Sequence, residues 1–338
     1  FFFKQKTAYE IPKRDWSSDV CSSDLLLYFA MWIAKLLQMG QCSKQILLCY
    51  LCKTLMKSGF VNIIGKPNAG KSTLLNALLG EKLSIVSSKV QTTRHRIRAF
   101  LNSENYQIIF SDTPGVIEPK YKLHEKMMRA VSASLEDADV CLFVMDARDQ
   151  VTEIEGLISV LKINVPVIVV LNKMDLMEKA IVSEKKQAIE SLPDIKKVVP
   201  VSANKKMHID QLIDSIVELL PEGEPYYDKD ELTDLPTKFF AAEIIREKIF
   251  DLYEEEIPYQ STVMVSKFEE KTTLIKITAE IVVHRESQKA IILGSGGVKI
   301  KELGMRSRIE LEKFLDSKVF LELFVKVRNN WLKDRKST

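Results

Sequence analysis

Gly65-Lys66-Pro67-Asn68-Ala69-Gly70-Lys71-Ser72 fits the pattern G-x-x-x-x-G-K-[ST]. It follows the apolar run Phe60–Ile64, which reads as a buried strand. It opens Lys71–Leu79, which reads as a helix. Glycines let backbone N–H groups curl around phosphate oxygens, and the helix N-terminus adds positive potential. Gly65, Asn68, Ala69, Gly70, Lys71, Ser72 and Thr73 therefore form the expected phosphate-binding set. Lys71 is expected at the β- and γ-phosphates, and the Ser72 hydroxyl on Mg²⁺. Asn68 is placed to help coordinate a monovalent cation such as K⁺.

Downstream, the order of motifs matches this start. Asp112-Thr113-Pro114-Gly115 ends the run Ile108–Phe110; Asp112 is expected to hold Mg²⁺ through water, and the Gly115 N–H to sense a γ-phosphate. Gln91-Thr92-Thr93-Arg94-His95-Arg96 lies between the first helix and the next strand. A threonine here can bind Mg²⁺ and order the segment in the triphosphate state, and Thr93 is favoured over Thr92. Asn172-Lys173-Met174-Asp175 follows the apolar run Val165–Leu171. The Asp175 carboxylate can accept from guanine N1–H and the N2 amine, donors that adenine lacks, so GTP is expected rather than ATP. Lys173 is expected to pack over the base, and Asn172 to tie this loop to the phosphate loop. Ser202-Ala203 is expected to turn a backbone N–H to guanine O6. Val116 stands where many GTPases place a water-orienting glutamine, so slow intrinsic hydrolysis is expected.

From residue 60 to 220, short apolar runs alternate with amphipathic ones, the pattern of a mostly parallel sheet flanked by helices. Val140–Met145 and Val198–Val201 read as further strands. Glu125–Leu135, Ile154–Leu161, Glu184–Leu192 and Ile209–Leu220 read as helices, and Arg96–Leu101 as an antiparallel partner of Tyr106–Phe110. Residues 221–236, rich in proline and charge, read as a linker. Beyond it the order changes to helix (Lys238–Tyr253), strands Thr262–Phe268 and Leu274–Val283, helix, glycine loop, helix and strand Val319–Val327. That is a small α+β domain over 237–333.

Its glycine loop, Gly294-Ser295-Gly296-Gly297, carries G-x-x-G between two helices, the KH pattern for clamping the sugar–phosphate chain of about four nucleotides. Lys299 and Lys301 follow, with Arg306 and Arg308 nearby for phosphate contacts. Residues 280–338 hold 13 basic and 8 acidic side chains. The apolar stripe Ile300, Leu303, Ile309, Leu311, Phe314 reads as core.

The chain has 338 residues, 46% hydrophobic and 28% charged, with a net charge of +3. That composition excludes a disordered or fibrous chain. Residues 1–55 hold seven basic and four acidic residues and four of the five cysteines. Phe3–Ile11 and Asp15–Leu25 resemble a translated sequencing-library adapter, so 1 to about 25 is read as an assembly artefact and 1–55 as a non-native leader, with Met56 as the expected start and Met31 or Met39 as alternatives. From Met56 the charges balance, and Cys141, in an apolar run, reads as a core thiol.

Together these motifs resemble the Era family of bacterial ribosome-assembly GTPases over about Met56 to Lys333. The resemblance implies an α/β P-loop GTPase domain over 56–220 followed by a type II KH domain. It implies a GTPase that hydrolyses GTP to GDP and phosphate, with Mg²⁺ as cofactor held by Ser72, Thr93 and Asp112. The implied partners are 16S rRNA near its 3′ end and the small (30S) ribosomal subunit, with the nucleotide state switching RNA affinity. The implied location is the cytoplasm, with peripheral association at the inner face of the cell membrane. No DNA partner is expected.

Overall fold

A computed structural model describes residues 56–87, 89, 93–115, 131, 133–152, 161 and 163–328. The leader, Gln91, Thr92, Val116, His124, most of the expected helices Glu125–Leu135 and Ile154–Leu161, and the chain beyond Arg328 lie outside the described residues.

The first sheet has the order β2-β3-β1-β4-β5-β6. Its strands are β1 (Lys57–Gly65), β2 (Ile97–Asn102), β3 (Tyr106–Asp112), β4 (Val140–Asp146), β5 (Val167–Asn172) and β6 (Ile195–Pro200). All pairings are parallel except β2 against β3. Every residue of β4 and β5 is buried. Continuous apolar runs such as Val-Cys-Leu-Phe-Val-Met suit a parallel sheet covered on both faces. Chain order departs from β1 in both directions, to β3 on one side and β4 on the other, so a crevice opens at the C-terminal end of β1. Helix α1 (Lys71–Leu79) starts there and buries Leu74, Leu75 and Leu78 against the sheet. Helix α2 (Lys179–Glu190) begins five residues before the start read from the sequence, and α3 (Ile209–Leu219) follows β6.

The 221–236 segment does not run free. The Ser58 N–H donates to the Pro221 carbonyl, and the Phe100 N–H, on the edge strand, donates to the Leu232 carbonyl at 2.8 Å. Gln107 accepts from the backbone of Tyr226 and Tyr227 and donates back to the Tyr227 carbonyl. The Tyr227 ring stacks on Phe100 with centroids 3.9 Å apart. A polar segment thus covers an otherwise unpaired sheet edge, anchored by two tyrosines.

The second sheet runs β7 (Ser261–Glu270), β8 (Ile275–Val283), β9 (Val319–Val327), antiparallel then parallel. Helices α4 (Thr237–Leu252), α5 (Glu286–Leu293) and α6 (Val298–Leu315) contribute to the core beneath it, including Ile245, Ile249, Ile292, Leu303 and Leu311. The stripe read as core is corrected at one position: Ile309 is 46% exposed, while Leu303 and Leu311 are fully buried.

Candidate functional site

Gly65 and Gly70 are required by geometry. Gly65 has φ +146, and a Cβ there would lie 2.0 Å from the Val144 carbonyl oxygen. Gly70 has φ +92, and a Cβ would lie 2.3 Å from Asn172 Nδ2. Both positions bend the chain over the end of β1, where only glycine fits without strain. Asn68 also adopts a left-handed φ of 61°. The start of α1 has no side-chain cap, so its first-turn N–H groups face the loop. Lys71 is buried and its Nζ donates to the carbonyls of Gly65 and Lys66 at 3.1 and 2.7 Å. Burial lowers its pKa to about 8, against the raising influence of Asp112. Thr73 lines the same cavity as Pro67, Asn68, Ser72 and Thr93.

Ser72, Thr93 and Asp112 meet. Ser72 Oγ lies 2.8 Å from Thr93 Oγ1 and donates to Asp112 Oδ2 at 2.8 Å; Thr93 Oγ1 donates to the same oxygen at 3.4 Å. Ser84 Oγ also donates to it, at 3.0 Å. Burial raises the Asp112 carboxyl, opposed by these hydroxyls and by Lys71. Asp112 Oδ1 is buried and has no hydrogen-bond partner among the described residues. A set of oxygen donors with an unpaired buried carboxylate oxygen suits a hard divalent cation such as Mg²⁺. Thr113 Oγ1 donates to the Ile63 carbonyl, fixing the start of this loop to β1. Pro114 is buried, and Gly115 packs against Pro67, where a Cβ would meet the backbone at 2.9 Å.

The base-selecting motif is braced from three sides. Asn172 Nδ2 donates to the Ala69 carbonyl, and its Oδ1 accepts from the N–H groups of Lys173 and Ala203. Lys173 takes a left-handed φ of 62°, turning the chain so that Asp175 projects from a short 3₁₀ turn. Lys173 Nζ donates to the Asn68 carbonyl and to Asp146 Oδ2 at 2.7 and 2.9 Å. Ser202 Oγ donates to Asp175 Oδ1 at 2.7 Å and holds its pKa down, helped by Lys205.

Two points go beyond the sequence reading. The Ser202 N–H goes to the Met207 carbonyl and the Ala203 N–H to Asn172 Oδ1, so this dipeptide also braces the selector, a role beyond the base contact expected from the sequence. Asp146, at the end of β4, was not singled out. Burial raises its carboxyl, but bonds from Arg148 and Lys173 outweigh that and leave it well below the usual range. Its only sequence signal was an acid ending an apolar run at the sheet's C-terminal edge.

In the second domain, Gly294, Gly296 and Gly297 have φ of +69, +60 and +78. Ser295 and Gly296 are exposed, and a Cβ at Gly296 would meet nothing within 4 Å. The loop runs directly into the N-terminus of α6, with Lys299 and Lys301 exposed on its first turn. Beside it, Lys301, Met305 and Arg308 of α6 and Phe320 and Leu323 of β9 line a groove. Met305, Phe320 and Phe324 are each about half exposed, and no motif in the sequence marks them.

Phosphate loop, three-oxygen cluster, braced guanine selector and a glycine-loop KH domain define a P-loop GTPase joined to an RNA-binding module. A family model described as "50S ribosome-binding GTPase" matches residues 60–173, and one described as "KH domain" matches 256–332. The GTPase Era of Geobacter metallireducens is 44% identical over 284 residues, covering 83% of this chain and 95% of that protein. That of Geotalea uraniireducens is 45% identical over 278 residues, covering 81% and 94%. A crystal structure of a variant of Aquifex aeolicus Era bound to GDP·AlF₄⁻ is 42% identical with a TM-score of 0.80, covering 83% of this chain and 97% of that one. An Era complex with MgGDPNP and nucleotides 1506–1542 of 16S ribosomal RNA has 42% identity, a TM-score of 0.78 and the same coverage. The chain belongs to the Era family of GTPases. It hydrolyses GTP, and it is an RNA-binding ribosome-assembly factor.

Proposed function

We propose that the KH domain binds the 3′ end of 16S rRNA within the small subunit, and that GTP and GDP set the affinity of that contact. The observation that carries this is the Ser72–Thr93–Asp112 cluster, in which the segment between α1 and β2 meets the phosphate loop and the Asp112 loop at one point. Ser72, Thr93 and Asp112 would hold Mg²⁺, which would supply charge neutralisation for the β- and γ-phosphates. Lys71 supplies a fixed cation to the phosphates, and Asp175, aimed by Ser202, admits guanine and rejects adenine. Thr73, Asn68 and Gly115 complete the phosphate contacts, and Asn68 is the candidate K⁺ ligand. Thr92 and Val116 belong to the two switch segments, and Val116 supports slow intrinsic turnover. Gly294–Gly297, Lys299 and Lys301 take the RNA backbone. Residence is cytoplasmic, with peripheral membrane contact as the family resemblance implies; among the described residues no helix is long and apolar enough to cross a membrane.

The likeness to the Era complex with MgGDPNP and 16S nucleotides supports this reading. Filter binding with an RNA of nucleotides 1506–1542 tests it. The GTP-analogue form should bind about 5-fold or more tighter than the GDP form, within the usual range of allosteric coupling. Gly296→Asp should lose binding in both forms, because it puts a carboxylate on the loop expected to meet the RNA backbone, at an open position whose left-handed φ of +60 Asp tolerates better than most side chains. Equal affinity in both nucleotide states would remove the switch.

A further inference from the structure

The segment between α1 and β2 reaches the KH domain with three cations. Lys82 Nζ pairs with Glu247 on α4 and Glu310 on α6, at 2.9 and 2.8 Å. Lys89 Nζ donates to the carbonyls of Phe250 and Tyr253, at the C-terminal end of α4. Such carbonyls lack partners inside the helix and attract positive charge. Arg94 makes the most complete contact. Its guanidinium donates to the carbonyls of Pro258 and Ser261 at 2.8 Å and of Tyr259 at 3.0 Å, and the side chain is buried. Glu243 of α4, paired with Arg246, faces the same charge.

Arg94 is bonded in sequence to Thr93, whose hydroxyl sits on Ser72 and Asp112. One peptide therefore separates a proposed Mg²⁺ ligand from a residue held by three backbone carbonyls of the other domain. Arginine suits this contact because its planar fork presents several donors in fixed directions. Carbonyls in the turn before β7 cannot follow Arg94 without moving that turn, and the start of β7 with it.

We propose that Arg94 is the positioning residue that couples the nucleotide site to the RNA domain: its grip on the 258–261 turn holds Thr93 at the metal cluster, and displacement of either end is felt at the other. This places the coupling in the segment beside Thr93, and not in the 221–236 connection, which is fastened to the sheet edge. It rests on the proposed control of RNA affinity by nucleotide.

The test measures binding of the 1506–1542 RNA in GTP-analogue and GDP forms for the full chain, Arg94→Lys and Arg94→Ala, with GDP affinity and Tm alongside. In the wild type the affinity ratio should be about 5-fold or more. In Arg94→Ala it should fall below about 2-fold, while GDP-form RNA binding and GDP affinity stay within about 2-fold of wild type. Arg94→Lys keeps the charge but not the fork, and should give an intermediate ratio. A wild-type ratio in Arg94→Ala overturns the coupling role and leaves nucleotide control standing. Should the alanine protein not fold, a wild-type ratio in Arg94→Lys overturns it equally. A ratio near one in the wild type overturns nucleotide control itself, and the coupling role with it; the two failures are read on different proteins.

Discussion

Asn172 donates its side-chain amide to the Ala69 carbonyl at 2.9 Å, joining the proposed base-selecting loop to the proposed phosphate loop across 103 positions of sequence. The same side chain accepts from the Ala203 N–H, so three loops share one amide. Asn172→Ala leaves the Ala69 carbonyl and the Ala203 N–H unpaired in a buried place, at a cost of about 1–3 kcal/mol. GDP affinity should fall about 10- to 100-fold and Tm should drop. Isothermal titration and calorimetric melting measure both, and a GDP affinity equal to wild type would dismiss the brace.

In the proposed site Asp175 would select the base by accepting two N–H donors. Asp175→Asn replaces one acceptor with an amide donor, which opposes the guanine amine but matches the oxygen that xanthine carries at the same position. The variant should bind GDP about 100-fold more weakly and gain affinity for XDP. Competition binding with the two nucleotides checks this. Ser202→Ala, which releases Asp175 Oδ1, should weaken GDP by a smaller factor without changing the preference.

Asp146 gives a pH-dependent prediction. Its folded pKa lies below the unfolded value of about 3.9. Its contribution is therefore fully present above that value and is lost as pH falls toward the folded one. Asp146→Asn should be less stable than wild type at pH 7, and the gap should close progressively below about pH 4. Urea unfolding from pH 7 to pH 2 follows the gap, and a constant difference across that range would show that the ionised carboxylate is not its source.

The phosphate loop and the guanine selector were legible because each is a short run whose chemistry depends on neighbouring residues. The α1 start and the β2–β3 pairing followed from local pattern for the same reason. Asp146 was not legible, since an acid at a strand end carries no mark of the lysine 27 positions later that it holds. Arg94 was visible as one base among several, but its acceptors are backbone carbonyls 164–167 positions away, which no side-chain pattern encodes. Ile309 was misread because an apolar residue near a stripe was assigned to it. Leu303, Ser307 and Leu311 repeat every four residues and are buried, whereas Ile309 stands about 200° around the helix from Ser307. The 221–236 segment has linker composition, yet two tyrosines and a glutamine from β3 fasten it down.

The groove between α6 and β9 combines exposed apolar surface with cations. Phe320 is 51% exposed and lies 5.4 Å from Lys276 Nζ, while Arg308 stands across the groove on α6. An exposed ring in this cationic groove is suited to stack on an unpaired base, worth about 1–3 kcal/mol per base. Phe320→Ala should weaken binding of the 1506–1542 RNA by that amount in both nucleotide states, with Tm almost unchanged because the ring is half in solvent. Arg308→Gln should act differently. A phosphate contact contributes by counterion release, so its loss should lower the slope of log affinity against log salt by about one. Salt titrations of the two variants separate the roles: a stacking residue changes the intercept and a phosphate contact changes the slope. Unaltered RNA binding in both would move the interface away from this groove.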